Sequence, residues 1–498
     1  MIFNKIEEAF NDNKEKAIIQ YGENTLYFNH YLVFQNYFVN ELIKLGIHSR
    51  SCVAVSIEKS QLNFVLVASL AKLNAIVMML DPKMSEYELK NYLQTYKPDI
   101  LITDSEYYSL IEYSQNNRVM SQTILDTVLK AFQINTNDNW NEITKQKELE
   151  GSIIFFTSGS SIIPKAAFRT KTNIYEDAIN NIQYFNITSS DKVLCAASIS
   201  HVYGFGSGSI PYLASGATVK FMNPASTFGI LNKELATNTY TVFVGLPIHY
   251  QMLTENMNCE LNLRLAFIAG SVVDKKLVDS THKKLGIYLN NMYGMTELGG
   301  ITTLYQNIST KNMYSVGNSL SNVSIKMGNV VQEEANTQPL YEIYVKSKAL
   351  SPGYYNYADG RLSGIQLSEG WFNTNDIGFI DENNVLYVAG RNENMINCSG
   401  KKINPLEIED IILKYSGIKE AVVIGRSDRK QGEIPIAYVV AESIVDKKSI
   451  IRFCYDRLPI HKVPRDIIQV EAFPRTKTGK LMRNRLKDSS DLKLIFPP

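Results

Sequence analysis

Cysteine is scarce in this sequence, and its five cysteines are scattered without a Cys-x-x-Cys pair. This argues against a disulfide framework and against a structural zinc site, and it favours a reducing compartment, so we expect a cytoplasmic protein. Neither charge dominates, because 51 Lys and Arg residues stand against 50 Asp and Glu residues. A nearly neutral chain has no overall basic surface for nucleic acid, and we expect no such partner.

Long apolar runs are also missing. The most apolar stretch, residues 62–80, contains Lys72 and Asn74 near its centre, and an ionised group there is costly in lipid. The first ten residues do not combine a basic start with an apolar core, as a signal peptide does. We therefore expect no transmembrane segment, and we read 62–80 as a buried helix over 62–73 followed by a buried strand over 75–80.

Helix-like and strand-like segments alternate in the N-terminal part of the chain. The spacing of apolar residues predicts helices over 31–45 and 86–96, and strands over 52–57 and 99–103. Such alternation predicts an α/β fold with a parallel sheet. Further along, the predicted strands 192–197, 242–244 and 265–268 each precede a turn of small residues, among them the turns with His201 and Tyr203 and with Gly270-Ser271. Ligands bind beyond the carboxyl ends of such strands, so these turns predict one pocket.

One stretch, residues 151–165, indicates phosphate binding. A short apolar strand, 153–156, is followed by Thr157, Ser158, Gly159 and Ser160, and then by Lys165. Such a loop can turn hydroxyls and backbone N–H groups toward an anion, and the lysine adds positive charge. No Gly-Lys-Ser/Thr triplet follows, so a P-loop kinase or ATPase is excluded. By itself, the loop could equally be an ordinary polar turn after a strand.

Two later segments could bind a nucleotide. Tyr293, Thr296 and Glu297 follow a predicted strand, and we place them on one turn, where an aromatic ring could stack on a base and a carboxylate could reach a phosphate-bound metal. The alternative is a turn in which Thr296 caps a helix. The segment 371–376 ends in Asp376, a carboxylate suited to ribose hydroxyls, although a lone Asp in a turn is more often a local cap.

The C-terminal third changes character. Short β-like runs from residue 314 to about 390 predict a small β-rich subdomain. A polar linker, 391–394, leads into a predicted α+β unit that ends in a basic loop containing Lys477 and Lys480. A solvated basic loop is the usual alternative for such a charge run.

Taken together and in this order, the motifs resemble the adenylate-forming superfamily of acyl-CoA synthetases, peptide-synthetase adenylation domains and luciferases. The resemblance runs from residue 70 to Lys480. It implies that ATP activates a carboxylic acid as an acyl-adenylate, and that a phosphopantetheine thiol then takes the acyl group and releases AMP. ATP and Mg²⁺ are the implied cofactors, with coenzyme A or the same arm on a carrier protein as co-substrate.

The resemblance also implies roles for individual residues. Lys480 matches the catalytic lysine, and Glu297 the magnesium carboxylate. His201 matches a residue at the acid pocket wall, and Thr296 an α-phosphate contact. The remaining matches are listed by role: phosphate loop, Thr157, Ser158, Gly159, Ser160 and Lys165; adenine stacking, Tyr293; ribose binding, Asp376 and Arg391; acid pocket, His201, Tyr203, Gly270, Ser271, Gly294 and Met295; hinge, Glu393.

The implied architecture is an α/β fold with a large N-terminal domain, residues 1–391, and a small mobile α+β C-terminal domain, residues 392–498. We expect two α/β subdomains and a small β-barrel-like subdomain within the large domain. Movement about Glu393 would bring Lys480 to the acid for the first step and away from it for the second.

Several positions depart from the family pattern. Ile162 and Asn375 stand at positions that usually hold glycine, Glu393 replaces a hinge aspartate, and Asn397 replaces a lysine. They leave open a non-catalytic nucleotide-binding relative, although Glu297, Asp376, Arg391 and Lys480 are all retained.

The acid itself is predicted less sharply. Residues 198–218 contain no acidic side chain to pair with a substrate ammonium, which favours a neutral-tailed acid, aliphatic or aromatic. An enzyme that loads an acyl or amino acid onto a carrier protein is the alternative.

Overall fold

The computed structural model describes most of the chain. The described residues are 1–22, 24–49, 51–105, 118–124, 127–134, 140, 143, 145–157, 164–222, 228–237, 239–270, 275–304, 315–333, 338–399, 401–475 and 481–486. Among them, no helix is both long and apolar enough to cross a bilayer.

Helices and strands alternate through the first part of the chain and give way to strands later. The described helices are α1 (Ile2–Phe10), α2 (Phe28–Lys44), α3 (Ser60–Lys72), α4 (Glu86–Tyr96), α5 (Lys171–Phe185), α6 (Ile210–Ala214), α7 (Phe228–Ala236), α8 (Pro247–Asn256), α9 (Lys275–Leu285), α10 (Pro405–Ile412) and α11 (Lys447–Tyr455). The described strands are β1 (Ala17–Tyr21), β2 (Asn24–Tyr27), β3 (Cys52–Ser56), β4 (Ile76–Met79), β5 (Ile100–Thr103), β6 (Arg118–Ile124), β7 (Thr127–Gln133), β8 (Ile153–Phe156), β9 (Ala166–Arg169), β10 (Lys192–Cys195), β11 (Thr218–Phe221), β12 (Val242–Gly245), β13 (Leu265–Ala269), β14 (Leu289–Met295), β15 (Gly299–Thr303), β16 (Ser315–Ser319), β17 (Ser324–Gln332), β18 (Leu340–Lys346), β19 (Gly353–Asn356), β20 (Arg361–Gly364), β21 (Leu367–Ser368), β22 (Trp371–Ile380), β23 (Leu386–Arg391), β24 (Ile396–Cys398), β25 (Lys401–Ile403), β26 (Ile418–Asp428), β27 (Gly432–Ala441) and β28 (Asp466–Gln469).

The chain forms two compact units. The first comprises Met1–Met313, Ser319–Ser324 and Lys346–Gln366, and the second comprises Tyr314–Asn318, Ile325–Val345 and Leu367–Pro498. The division by packing therefore does not fall between residues 391 and 392. The predicted domain boundary there concerns movement rather than packing, and it stays a prediction.

The first unit contains two mixed sheets. One has the order β20-β19-β9-β8-β4-β3-β5-β7-β6, and the other runs β15-β14-β13-β12-β10-β11-β1-β2. Their central strands are parallel, and antiparallel strands flank them. The α/β prediction is confirmed, and the expectation of a parallel sheet holds for the centres only. The reason is that hairpins such as β8–β9 and β14–β15 add antiparallel strands at the sheet margins.

The buried apolar stretch near the N-terminus folds as predicted. Helix α3 has every residue from Ser60 to Ala71 buried, and it leads through Asn74 into the buried strand β4. Asn74 has a φ of +60°, a left-handed conformation that Asn tolerates better than most residues. A helix buried on all sides explains an apolar run that has no membrane function.

The second unit contains two smaller sheets. β17-β18-β22-β23-β16 form an antiparallel sheet with β21 beside β22, and β25-β24-β27-β26 form a second sheet, with β28 beside β27. The β-rich segment was expected to be barrel-like, and this is wrong for the described strands. A barrel requires the last strand to pair with the first, and this order does not return to β17.

The start of α8 depends on a buried histidine. Leu246 N–H donates to His249 Nδ1 at 3.0 Å, and burial lowers the pKa of His249 to about 4. The helix therefore begins on a neutral ring. Because the folded pKa lies below the ordinary value, this contribution to stability is full above about pH 6.5 and is lost as the pH falls toward about 4.

We predict that His249→Asn weakens the acid sensitivity of the fold. Asn can accept the same hydrogen bond, as Asn173 does from Thr170 N–H at the start of α5, but it does not titrate. Up to about 3 kcal/mol of pH-dependent stability is at stake. The measurement is the thermal unfolding midpoint at about pH 7 and about pH 4.5. The exposed His30→Asn serves as control, and equal pH dependence in parent and His249→Asn would contradict the prediction.

Candidate active site

The predicted phosphate loop connects β8 to β9. Thr157 N–H donates to the Lys165 carbonyl at 2.9 Å, and Lys165 N–H donates to Thr157 Oγ1 at 3.3 Å, so the ends of the loop are held together. Ser158, Gly159, Ser160 and Ile162 lie outside the described residues, and their roles stay predictions. The geometry of the loop ends is that of a closed strand–loop–strand hairpin.

Glu297 is buried in the turn between β14 and β15. Tyr354 Oη donates to Glu297 Oε1 at 2.6 Å, and Ser351 N–H donates to the Glu297 carbonyl at 2.7 Å. Both partners lie about 55 residues further along, at and just before β19. The carboxylate is therefore held in place from outside its own hairpin, as a ligand for a metal must be.

Tyr354 also connects Glu297 with the phosphate loop. Lys165 Nζ lies 5.2 Å from the centroid of the Tyr354 ring, a cation–π distance. The pairing of β19 with β9 places Tyr354 opposite Ala167, two residues after Lys165. One aromatic side chain thus contacts a cation with its ring and an anion with its hydroxyl, at the two groups predicted to bind phosphates and Mg²⁺.

The turn predicted at Tyr293 begins later than expected. β14 continues to Met295, so Tyr293, Gly294 and Met295 are strand residues, and Thr296 begins the turn of the β14–β15 hairpin and not a helix. The close pairing of Gly294 with Gly300 explains the extension, because a Cβ at Gly294 would lie 2.3 Å from the Gly299 carbonyl oxygen. Glycine at this position lets the hairpin form.

The residues predicted to line the acid pocket lie near the carboxyl ends of parallel strands. Tyr203, in a π-helical turn over Tyr203–Ser207, donates to the Gly245 carbonyl at the end of β12, at 3.2 Å. Gly270 follows the neighbouring strand β13 with a φ of +98°. These turns meet at one sheet edge as predicted, while Ser271 lies outside the described residues.

His201 lies where burial favours its uncharged form. Burial lowers its pKa, and the nearby carboxylate of Asp81 opposes this shift without reversing it. A neutral imidazole offers one donor and one acceptor but no positive charge. If His201 lines the acid pocket as predicted, burial favours a polar, uncharged side chain at that position.

In the second unit, Asp376 faces Arg391. The two residues are opposite each other in the β22–β23 register, and Arg391 Nε lies 2.6 Å from Asp376 Oδ1. Asp376 is in the middle of β22, not in a turn as expected, because β22 pairs with β23 at this residue, and Asn375 before it takes a left-handed φ of +60°. The structure thus brings together the two residues predicted to bind ribose.

Of the two site residues predicted in the C-terminal part, Glu393 is among the described residues and Lys480 is not. Glu393 lies in a short 3-10 helix, Asn392–Asn394, between β23 and β24, which fits a linker. Lys480 lies outside the described residues. On either side of it, Arg475 and Leu481 form a β-bridge, and Arg483 forms a bidentate ion pair with Glu409 at 2.6 and 2.7 Å. Both flanks of the basic loop are thus held in place. Arg483 is paired, whereas the alternative of a solvated basic loop would leave its charge in water.

Sequence reasoning missed three residues near the site. Tyr354 contacts Glu297, and Arg169 Nη1 donates to the Thr296 carbonyl at 3.2 Å while Nη2 pairs with Asp177. The one feature of the sequence that could have indicated Arg169 is its place at the end of the apolar strand β9, since a buried arginine requires a partner. The neighbouring residues do not indicate which residue that partner is.

Comparison with known proteins decides the family. Residues 6–355 match the AMP-binding enzyme family, and residues 407–480 match the AMP-binding enzyme C-terminal domain. The chain belongs to the AMP-binding enzyme family. The two matches also divide it into a large N-terminal and a small C-terminal part, as predicted.

Curated relatives match nearly the whole chain. A 2-succinylbenzoate–CoA ligase of Listeria monocytogenes serotype 4b is 26% identical over 451 residues, 90% of this chain and 91% of that protein. The ligase of the same name from Bacillus subtilis strain 168 is 25% identical over 488 residues, 97% and 96% of the two chains.

Solved structures share the fold. ATP-bound MatB from Rhodopseudomonas palustris has a TM-score of 0.82 at 20% identity, with 99% of both chains covered. The o-succinylbenzoate CoA synthetase of Bacillus subtilis, in complex with the acyl-adenylate intermediate OSB-AMP, has a TM-score of 0.80 at 23% identity, again with 99% of both chains covered.

We predict that Tyr354→Phe raises the Mg²⁺ concentration needed for half-maximal ATP–pyrophosphate exchange by about tenfold, roughly 1.4 kcal/mol. The variant keeps the ring beneath Lys165 but removes the hydroxyl that orients Glu297. Tyr355→Phe is the matched control, because Tyr355 is the next residue of β19 and stacks on Trp140 in the core. Equal Mg²⁺ titrations for the two variants would contradict the role given to Tyr354.

Proposed function

We propose that this protein is an AMP-forming acid–thiol ligase. ATP activates a carboxylic acid as its acyl-adenylate with release of pyrophosphate, and coenzyme A then takes the acyl group with release of AMP. The structural observation that supports this most is the buried Glu297, oriented by Tyr354 beside Lys165. The first step joins two anions and expels a third, so it requires positive charge and N–H donors more than it requires a base.

The donor set fits Mg²⁺. Magnesium usually takes one or two protein carboxylates together with phosphate oxygens and waters, not a cage of protein ligands. Glu297 supplies such a carboxylate, and the described residues contain no cluster of three or more His, Cys, Asp or Glu side chains that would suggest a different metal. When bound, the ion would neutralise charge on the phosphates, and Glu297 would hold it.

The remaining roles are those that the family resemblance implies. Lys165 and the loop from Thr157 neutralise the phosphates, and Thr296 contacts the α-phosphate. Tyr293 stacks on adenine, while Asp376, oriented by Arg391, accepts hydrogen bonds from the ribose hydroxyls. Lys480 stabilises the charge that develops between the acid and the α-phosphate. Glu393 is the pivot about which Lys480 leaves before the thiol enters.

For the substrate, we infer an aromatic acid of the 2-succinylbenzoate type. The support is that the curated relatives, aligned over nine-tenths or more of this chain, bear that substrate in their names. The same names specify CoA, and nothing in them supports a carrier-protein partner. A second candidate is an aromatic acid with an uncharged tail, because burial lowers the pKa of His201 and so disfavours a cation that could pair with the carboxylate of 2-succinylbenzoate that is not activated.

A panel of acids in the ATP–pyrophosphate exchange assay separates these candidates. We expect exchange with 2-succinylbenzoate to exceed exchange with unsubstituted benzoate, a medium-chain fatty acid and D-alanine. AMP and an acyl-CoA should accumulate once coenzyme A is added. Stronger exchange with an uncharged-tail aryl acid would favour the second candidate, and exchange with D-alanine alone would support a loader of carrier proteins instead.

We predict that Lys480→Ala lowers pyrophosphate exchange by at least a hundredfold, since donors of this kind are worth about 3–4 kcal/mol. ATP binding should persist, and the variant should still convert supplied acyl-adenylate to acyl-CoA. Lys477→Ala, in the same loop, controls for loss of general positive charge and should change exchange little. If the Lys480 variant stays within about threefold of the parent, roughly 0.7 kcal/mol, Lys480 is not the catalytic lysine.

A further inference from the structure

A buried ion pair lies behind the turn that contains Glu297. Arg169, at the end of β9, and Asp177, on α5, have side chains that are 2% and 3% exposed, and Arg169 Nη2 lies 3.2 Å from Asp177 Oδ2. Neither belongs to the residues assigned to ATP or to the acid. Both charges are removed from water, so their presence calls for an account beyond surface electrostatics.

The pair contacts the turn at both of its ends. Arg169 Nη1 donates to the Thr296 carbonyl at 3.2 Å, directly before Glu297, and Gly300 N–H donates to Asp177 Oδ1 at 3.3 Å. Asn181 Nδ2 supplies a further hydrogen bond to Asp177 at 3.2 Å. The guanidinium and the carboxylate thus hold the beginning and the end of the segment from Thr296 to Gly300.

The turn is shaped to admit the carboxylate. Gly299 has a φ of +93°, and a Cβ there would lie 2.1 Å from Asp177 Oδ2. Gly206, in the π-helical turn beside the acid pocket, approaches the same oxygen, with a Cβ position 2.9 Å away. Two glycines that would collide with Asp177 if they had side chains show that the backbone packs directly against this carboxylate.

We propose that Arg169 and Asp177 are positioning residues that fix the Thr296–Glu297 turn relative to β9, the strand that leaves the phosphate loop. The proposal rests on the function proposed above. Lys165 directly precedes β9, and Arg169 is the last residue of this strand. The short strand therefore sets the separation between the phosphate-binding lysine and the carboxylate for Mg²⁺. Neither Arg169 nor Asp177 touches a reacting atom.

Stability alone does not explain such a pair. Replacing both members of a buried ion pair by uncharged residues of similar volume is often neutral for stability, whereas removing one member leaves a buried charge without its partner. Burial already raises the pKa of Asp177, and Arg169 opposes that shift, so an Arg169 single variant would change the charge of the carboxyl as well as the contact. The informative variant is therefore the double one, Arg169→Met with Asp177→Asn.

The chain offers a control pair of the same charges. Arg264 forms two hydrogen bonds to Asp191, at 2.8 and 2.6 Å, with Asp191 buried and the Arg264 side chain 34% exposed. Each residue directly precedes a parallel strand, β13 and β10 respectively, so this pair lies at the amino ends of strands whose carboxyl ends border the acid pocket. Arg264→Met with Asp191→Asn removes comparable charges far from the Glu297 turn.

The experiment measures ATP affinity by calorimetry, once with Mg²⁺ and once with EDTA. The ratio of the two affinities is the gain due to the metal. We expect this gain to be at least tenfold smaller in the Arg169→Met/Asp177→Asn variant than in the parent, and we expect the same of Glu297→Gln. The affinity of the double variant in EDTA and its circular dichroism should stay close to those of the parent. The control double variant should keep the full gain. Arg169→Lys, which keeps the charge but cannot reach both Asp177 and Thr296 as a fork, should lose part of it.

The outcomes separate the two proposals. If Glu297→Gln loses the gain and the Arg169→Met/Asp177→Asn variant keeps it, the pair does not position the turn. If both double variants lose it equally, the effect is general destabilisation and the positioning role is wrong. A parent that binds ATP with no gain from Mg²⁺ would overturn the proposed function itself, and the positioning role with it.

Discussion

The turn between β14 and β15 is the constraint on which the candidate site depends. Its backbone accepts hydrogen bonds from Arg169 at the end of β9 and from Ser351 just before β19, and its carboxylate accepts one from Tyr354. These donors come from segments more than 50 residues away in the sequence. A carboxylate that must meet a metal at fixed distances requires this kind of support, because a short hairpin turn alone does not fix a side chain.

Local chemistry made much of this fold predictable. The buried run at 62–80, the helix at 86–96 and the strands before the small-residue turns were all confirmed, because each contains its own periodicity and its own stop signal. Predictions failed where pairing with the next strand decides the local conformation. β14 extends through Tyr293 because Gly294 pairs with Gly300, and Asp376 lies within a strand because β23 pairs with β22 beside it.

The residues of the candidate site also differ in whether the sequence alone could indicate them. Motif residues such as Lys165, Glu297 and Asp376 could be proposed from the sequence, since their types and order match those of the family, and their roles stay predictions. The residues that orient them, Tyr354 and Arg169, were not, because a tyrosine in a β-strand or an arginine after an apolar run has no local signature of its partner. Asn375 stands where the family usually has glycine, and its left-handed φ of +60° is one that Asn tolerates better than most residues.

The central claim is that the substrate carboxylate attacks the α-phosphorus of ATP, and oxygen transfer tests it most directly. The acid is labelled with ¹⁸O in its carboxylate and incubated with the protein, ATP, Mg²⁺ and coenzyme A. The masses of the products are then measured by mass spectrometry. AMP should acquire one labelled oxygen from each acid molecule consumed, and pyrophosphate should stay unlabelled. Labelled phosphate with formation of ADP, or unlabelled AMP alongside acyl-CoA, would contradict the central claim.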